Sequence, residues 1–143
     1  LTVWVFKREV ADQIIANTTY DDWSDGLLAM FVWRQNHPEE TRSVVSSIGM
    51  EDLQIFLHKQ LRAVMEPIVD QHSIDLQVTE DDRVFVTDHF TLAILGHISQ
   101  WLATGMSTDP YILTERIARV LDGQVRRSLE ALAANPIPAA QRA

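Results

Sequence analysis

Apolar residues recur along this chain at steps of three and four, and sustained alternation at steps of two is absent. That is the helical period, not the strand period. The opening "LTVWVFKREVADQIIAN" places Val3, Trp4, Phe6, Val10, Ala11, Ile14 and Ile15 on a wide apolar face and predicts an amphipathic helix. Asn17-Thr18-Thr19 closes it, and Thr19 followed by Asp22 offers a capping box for the next helix. That helix carries Trp23, Leu27, Met30 and Phe31 on one face and stops at Asn36-His37-Pro38. Pro38, Glu39 and Glu40 read as the first turn of a short helix that ends at Gly49.

From Met50 to about Gln71 the pattern predicts a long helix, with Leu53, Leu57, Leu61, Val64 and Ile68 as its stripe and Phe56 beside it. Pro67 should kink it or end it early. After a polar linker, Thr79 caps a helix over about 80–104 that is apolar on nearly every side, from Val84, Phe85 and Val86 to Ile98, Trp101 and Leu102. All-round apolar character marks a central helix. Gly105 stops it, and Asp109-Pro110 starts a last helix over 110–132 with Leu113, Ile117, Val120, Leu121, Val125 and Leu132 as its stripe. "NPIPAAQRA", within 133–143, reads as a frayed tail. The expectation is an all-α fold of about six helices in one domain over 1–132.

Composition narrows the function classes. The chain has 143 residues, enough for one core, and no Cys, which excludes disulfides, thiolate nucleophiles and Cys-based zinc sites. That suits a cytoplasmic protein. No apolar run approaches the roughly 20 residues that span a bilayer, and Lys7, Arg8 and Glu9 interrupt the apolar N-terminal stretch where a secretory signal would lie. The net charge of -8, with Asp70, Asp75, Glu80, Asp81, Asp82 and Asp88 opposed locally by Arg83, would repel a phosphate backbone. The plain reading of this acidic cluster is a solvated loop and helix start.

Candidate chemistry is sparse. There is no phosphate-binding glycine loop and no strand–Ser–helix elbow. None of the five histidines pairs with another at the four-residue spacing of a zinc helix; His89 and His97 lie about two turns apart and could share a cavity, but a metal would need more ligands. Asp81 and Asp82 are helical neighbours that point in different directions, so they form no acid/base pair. No cofactor, metal or catalytic activity is therefore assigned. Gly96, inside an apolar helix, is either a close-crossing point or incidental. Ser99 and Gln100 beside Trp101 need polar partners from the chain, a second subunit or a ligand.

"FVTDHFTLAILGHISQWLATGMSTDPYILTERIARVL" resembles the last two helices of the TetR family of bacterial regulators, and more narrowly the C-terminal subtype of the dihydroxyacetone-kinase regulators. The matching positions are Phe85, Phe90, Gly96, Trp101-Leu102, Gly105-Met106, Pro110 and Ile117. "LTVWVFKREVADQI" and "YDDWSDGLLAMFVWRQNHPEETRSVV" are similar to the two helices that follow the family's DNA-reading head. Two features depart from the pattern. The helix-turn-helix head is not among these residues, which leads to the expectation of a missing upstream part. Glu39, Glu40 and Thr41 also stand where the subtype commonly carries an aromatic.

The resemblance implies a homodimer whose last two helices build a four-helix bundle, an effector cavity among the earlier helices, and DNA contact only through the head. The dimer face is expected at Gly96, His97, Gln100, Trp101, Ile117 and Leu121. The effector cavity is expected between the opening helix, the helix over 50–71 and the helix over 80–104, with Trp4, Phe56, Phe85 and His89 as lining and Met65 as an adaptable wall. The alternative is that these side chains simply fill the core. The competing function is a helical module that binds a partner protein and no small molecule.

Overall fold

The computed structural model describes Arg8 and residues 23–138. Within them the chain forms α1 (Trp23–Asn36), α2 (Pro38–Ser73), α3 (Glu80–Ala103), α4 (Pro110–Leu121) and α5 (Gln124–Ala134), with no strand among the described residues. The opening helix, and Trp4 with it, lies outside the described residues.

Helix boundaries follow local chemistry. His37 is extended enough to admit Pro38 at the start of α2, and its Nδ1 donates to the Trp33 carbonyl at 2.7 Å. Gly49 takes φ 80° and ψ 161°, so α2 is two helical pieces across a sharp bend, as its glycine suggested. Pro67 does not do what the sequence led us to expect. The helix runs past it to Ser73, because Pro67 and Ala63 both lie on the exposed side, where water can take the carbonyl that proline leaves unpaired.

The Thr79 hydroxyl accepts from the Asp82 amide at 3.1 Å and starts α3, with Glu80, Asp81 and Asp82 in the first turn near the positive helix end. Its far end is a Schellman turn. Met106 N–H donates to the Trp101 carbonyl at 2.8 Å and Gly105 N–H to that of Leu102 at 3.1 Å, with Gly105 at φ 70° and Met106 at φ 59°. Trp101 Nε1 donates to the Thr108 carbonyl at 2.8 Å, which ties the turn to the helix it leaves. Asp109 then caps α4 by accepting from the Tyr111 and Ile112 amides.

The single helix expected over 110–132 is two helices. Gly123 at φ 72° breaks it, and α5 restarts with Arg127 N–H donating to the Gly123 carbonyl. The change of direction also changes the stripe. Pro110, Thr114, Ile117 and Leu129 face inward, whereas Val120 is exposed.

The core is mainly the seam of α2 against α3. Leu53, Leu57, Leu61 and Met65 meet Phe90, Ile94, Ile98 and Trp101, while α1 adds Leu27, Met30 and Phe31. Phe31 meets Trp101 edge to face at 4.8 Å, and Gln54 donates to Ser99 across the seam at 3.2 Å, one of the polar partners the sequence required. Arg62 spans the same two helices to Asp88 at 2.8 Å.

Candidate functional site

Two surfaces stand out among the described residues. The first is the outward face of α3. Phe85 is 67% exposed and Leu92 56%, and His89, Gly96 and Ala103 are exposed in line with them. The steps 85–89–92–96 run four, three and four, the spacing of a helix–helix seam, and Ala103 lies about two turns beyond Gly96, whereas Ser99 between them is half-buried and bonded to Gln54 of α2. An added Cβ at Gly96 would meet no atom within 4 Å, so among the described residues no helix crossing comes near it. His97 and Gln100, also exposed, flank the line. Beside it, a groove of about 490 Å³ runs between Phe85, Val86 and His89 of α3, Ser128 and Leu132 of α5, and Ile137 beyond. The Phe85 and His89 rings lie near-parallel, 6.4 Å apart between centroids.

The second surface is a cleft between α1 and α4. One lobe, of about 530 Å³, is lined by Leu28 and by Tyr111, Ile112, Thr114, Arg116 and Arg119. A second lobe of about 440 Å³ shares Leu28 and Tyr111 and extends to Trp33 and His37. There the His37 ring stacks on Trp33 at 4.0 Å, and the Arg34 guanidinium lies 3.1 Å from the centroid of the same ring.

The structure divides the residues expected to share one effector cavity. Met65 is buried in the α2–α3 core and Phe56 is half-buried against it, while Phe85 and His89 stand on the outward side of α3. These four do not converge, because α3 is apolar on both sides and only one side meets α2. The residues expected at the dimer face divide as well. Gly96, His97 and Gln100 are exposed and Leu121 is half-buried, whereas Trp101 and Ile117 are buried within the protomer and need no second chain to cover them.

The cleft was not foreseen, since a Tyr-Ile pair after a helix-starting proline reads as ordinary stripe. The outward seam could have been found from the four-three steps alone. Among the described residues no group of His, Asp and Glu could hold a metal ion, and no helix is long and apolar enough to cross a membrane.

Electrostatics tie α5 to the rest. Arg126 bonds both Asp75 oxygens, at 2.5 and 3.0 Å, and the His72 carbonyl at 2.7 Å, clamping α5 onto the C-terminal end of α2. The Arg126 guanidinium holds the Asp75 carboxyl below its ordinary range, and Asp75 in turn raises that of Arg126.

Residues 21–123 match the family described as the transcriptional regulator C-terminal region, of the TetR type. No curated protein and no solved structure matches the chain.

Proposed function

Because the chain belongs to the C-terminal region of the TetR family of transcriptional regulators, we propose that it serves such a regulator as its effector-sensing and dimerisation domain. The observation that carries the dimer is the exposed four-three seam of Phe85, His89, Leu92, Gly96 and Ala103 on α3. A row with that spacing buries itself against a second helix, and a two-fold axis through it makes the face its own complement. Phe85 and Leu92 supply knobs, and Gly96 and Ala103 supply hollows.

His97 and Gln100 flank this face in the proposal, and Trp101 and Ile117 stiffen it from beneath. The groove beside Phe85 and His89 takes partner side chains. We extend the assignment to the dihydroxyacetone-kinase-regulator-like subtype on the Gly96–Met106 run. DNA contact belongs to a separate reading head, in a cytoplasmic protein, and catalysis has no part in the reading. The effector acts by binding one of two dimer arrangements more tightly than the other, since equal affinity would shift nothing.

Sedimentation of the chain at micromolar concentration is expected to give twice the protomer mass. Leu92→Glu is expected to give the protomer mass with helical circular dichroism retained. A wild-type protomer at that concentration overturns the dimer and leaves the face to a different protein.

A further inference from the structure

We propose that the floor of the groove between α3 and α5 binds an organic ammonium ion with an apolar body, of the arylalkylamine kind. The proposal rests on the effector-sensing reading and gives it a place and a ligand class. The rim of the groove, at Phe85 and His89, belongs to the proposed dimer face; the ligand lies beneath it.

The first support is Asp82. It is 8% exposed, the one buried carboxylate among the described residues. Other aspartates at this end of the molecule have cations. Asp70 lies 3.9 Å from Arg83, Asp75 takes Arg126, and Asp88 takes Arg62 at 2.8 Å. Asp82 has no such cation, and among the described residues no donor bonds its side chain. Nor are its oxygens sealed beneath other atoms, as the Arg83 Nε is. The positive end of α3 offsets part of the cost of burying this charge. The rest stays uncompensated until a cation reaches it.

The second support is direction. Asp82, Val86 and Phe90 follow at four-residue steps and all line the groove, so the carboxylate shares one side of α3 with two buried apolar side chains. Ser128 and Leu132, also four apart, line the facing side on α5. No Lys or Arg is in the lining, and Asp81 adds a second acid at the rim. In a chain of net charge -8, that favours a cation there.

The third support is the kind of cation that fits. A metal ion takes several oxygen ligands, and no group of His, Asp and Glu among the described residues could hold one. An ammonium group needs fewer, with donors for Asp82 and for the Ser128 hydroxyl. Its apolar body then lies on Val86, Phe90 and Leu132. The groove, at about 490 Å³, falls within the roughly 300–1,000 Å³ of small-molecule sites.

The test is a titration of the isotope-labelled full chain with phenethylamine, an ammonium ion at neutral pH, followed by amide shifts. Phenethyl alcohol is the uncharged match. Saturable shifts centred on residues 82–90 and 128–132 are expected, with the alcohol binding about tenfold more weakly, the size of one charge-assisted contact. Asp82→Asn should weaken the amine about tenfold and leave the alcohol unchanged. Damage to the fold alone would weaken both alike. Ser128→Leu fills the groove and keeps the carboxylate, so it should weaken both ligands.

No shifts at millimolar phenethylamine, shifts centred on the α1–α4 cleft, or an Asp82→Asn variant that keeps the preference for the amine would overturn the proposal. Equal binding of the alcohol by the wild type overturns the cation class and leaves effector sensing standing. Sedimentation of the same samples separates ligand from dimer. A dimer that ignores phenethylamine defeats the groove site alone, and a protomer that binds it defeats the dimer alone.

Discussion

The two faces of α3 carry much the same chemistry and meet opposite fates. Phe90, Ile94 and Ile98 look inward and are 2–4% exposed, while Phe85 and Leu92, on the same helix, are more than half exposed. Hydrophobicity does not distinguish them, because apolar area is driven out of water equally from either side. What distinguishes them is whether this chain supplies a neighbour. α2 covers the inward face with a long leucine-rich stripe, and among the described residues nothing comes within 4 Å of a Cβ placed at Gly96, midway along the outward one.

One substitution made on each face separates them most strongly. Phe90→Ala opens a cavity in the α2–α3 seam and is expected to cost about 3–5 kcal/mol of protomer stability. Phe85→Ala removes the same atoms from the surface and should change it by no more than about 0.5 kcal/mol. Urea unfolding at a concentration low enough to keep the chain monomeric reads both, and equal costs would erase the difference between the faces.

A smaller and more pointed effect is expected at Gly96. Alanine there meets nothing within 4 Å in the protomer, and it gains about 1 kcal/mol of helix propensity. Gly96→Ala should therefore raise the monomer's melting temperature while weakening self-association, because it fills a hollow of the proposed seam. Stabilisation without weaker association would move the dimer axis elsewhere.

The smallest effect is a control that touches neither face. Asp75 is held by Arg126 and its folded carboxyl titrates below the ordinary value. The clamp's contribution is thus full above the ordinary carboxylate range and is lost as pH falls through the lowered folded value. Melting of wild type and Asp75→Asn across the acid limb should converge as pH drops, and added salt should shrink their difference at neutral pH. A gap that persists in acid would mean that Asp75 acts by packing.

The helices were legible because their stripes are long and their stops are chemically explicit: Pro38, Gly49, Thr79, Gly105 and Asp109-Pro110 all lie at element ends or bends. Gly123 was not. Leu113, Ile117, Leu121 and Val125 step through it at four-residue intervals, so the apolar pattern conceals a break that only Asp122-Gly123 signals. The divergence of Phe56 and Met65 from Phe85 and His89 has a related reason. Periodicity shows that Phe85 and Phe56 sit on apolar faces, but not that those faces look in different directions. The cleft was illegible because it depends on α4 lying beside α1, a long-range pairing that no local spacing encodes.

The break at Gly123 also has a consequence for how the molecule breathes. α4 ends at Leu121, before it, and the first backbone bond of α5 is accepted by the Gly123 carbonyl itself, so the two helices share no continuous ladder. α5 is anchored by one fully buried side chain, Leu129, by the partly buried Val125 and Leu132, and by the Arg126 clamp. It is expected to open sub-globally while the α2–α3 seam stays shut. Its amides should then exchange with solvent deuterium at a lower opening free energy than those of α3.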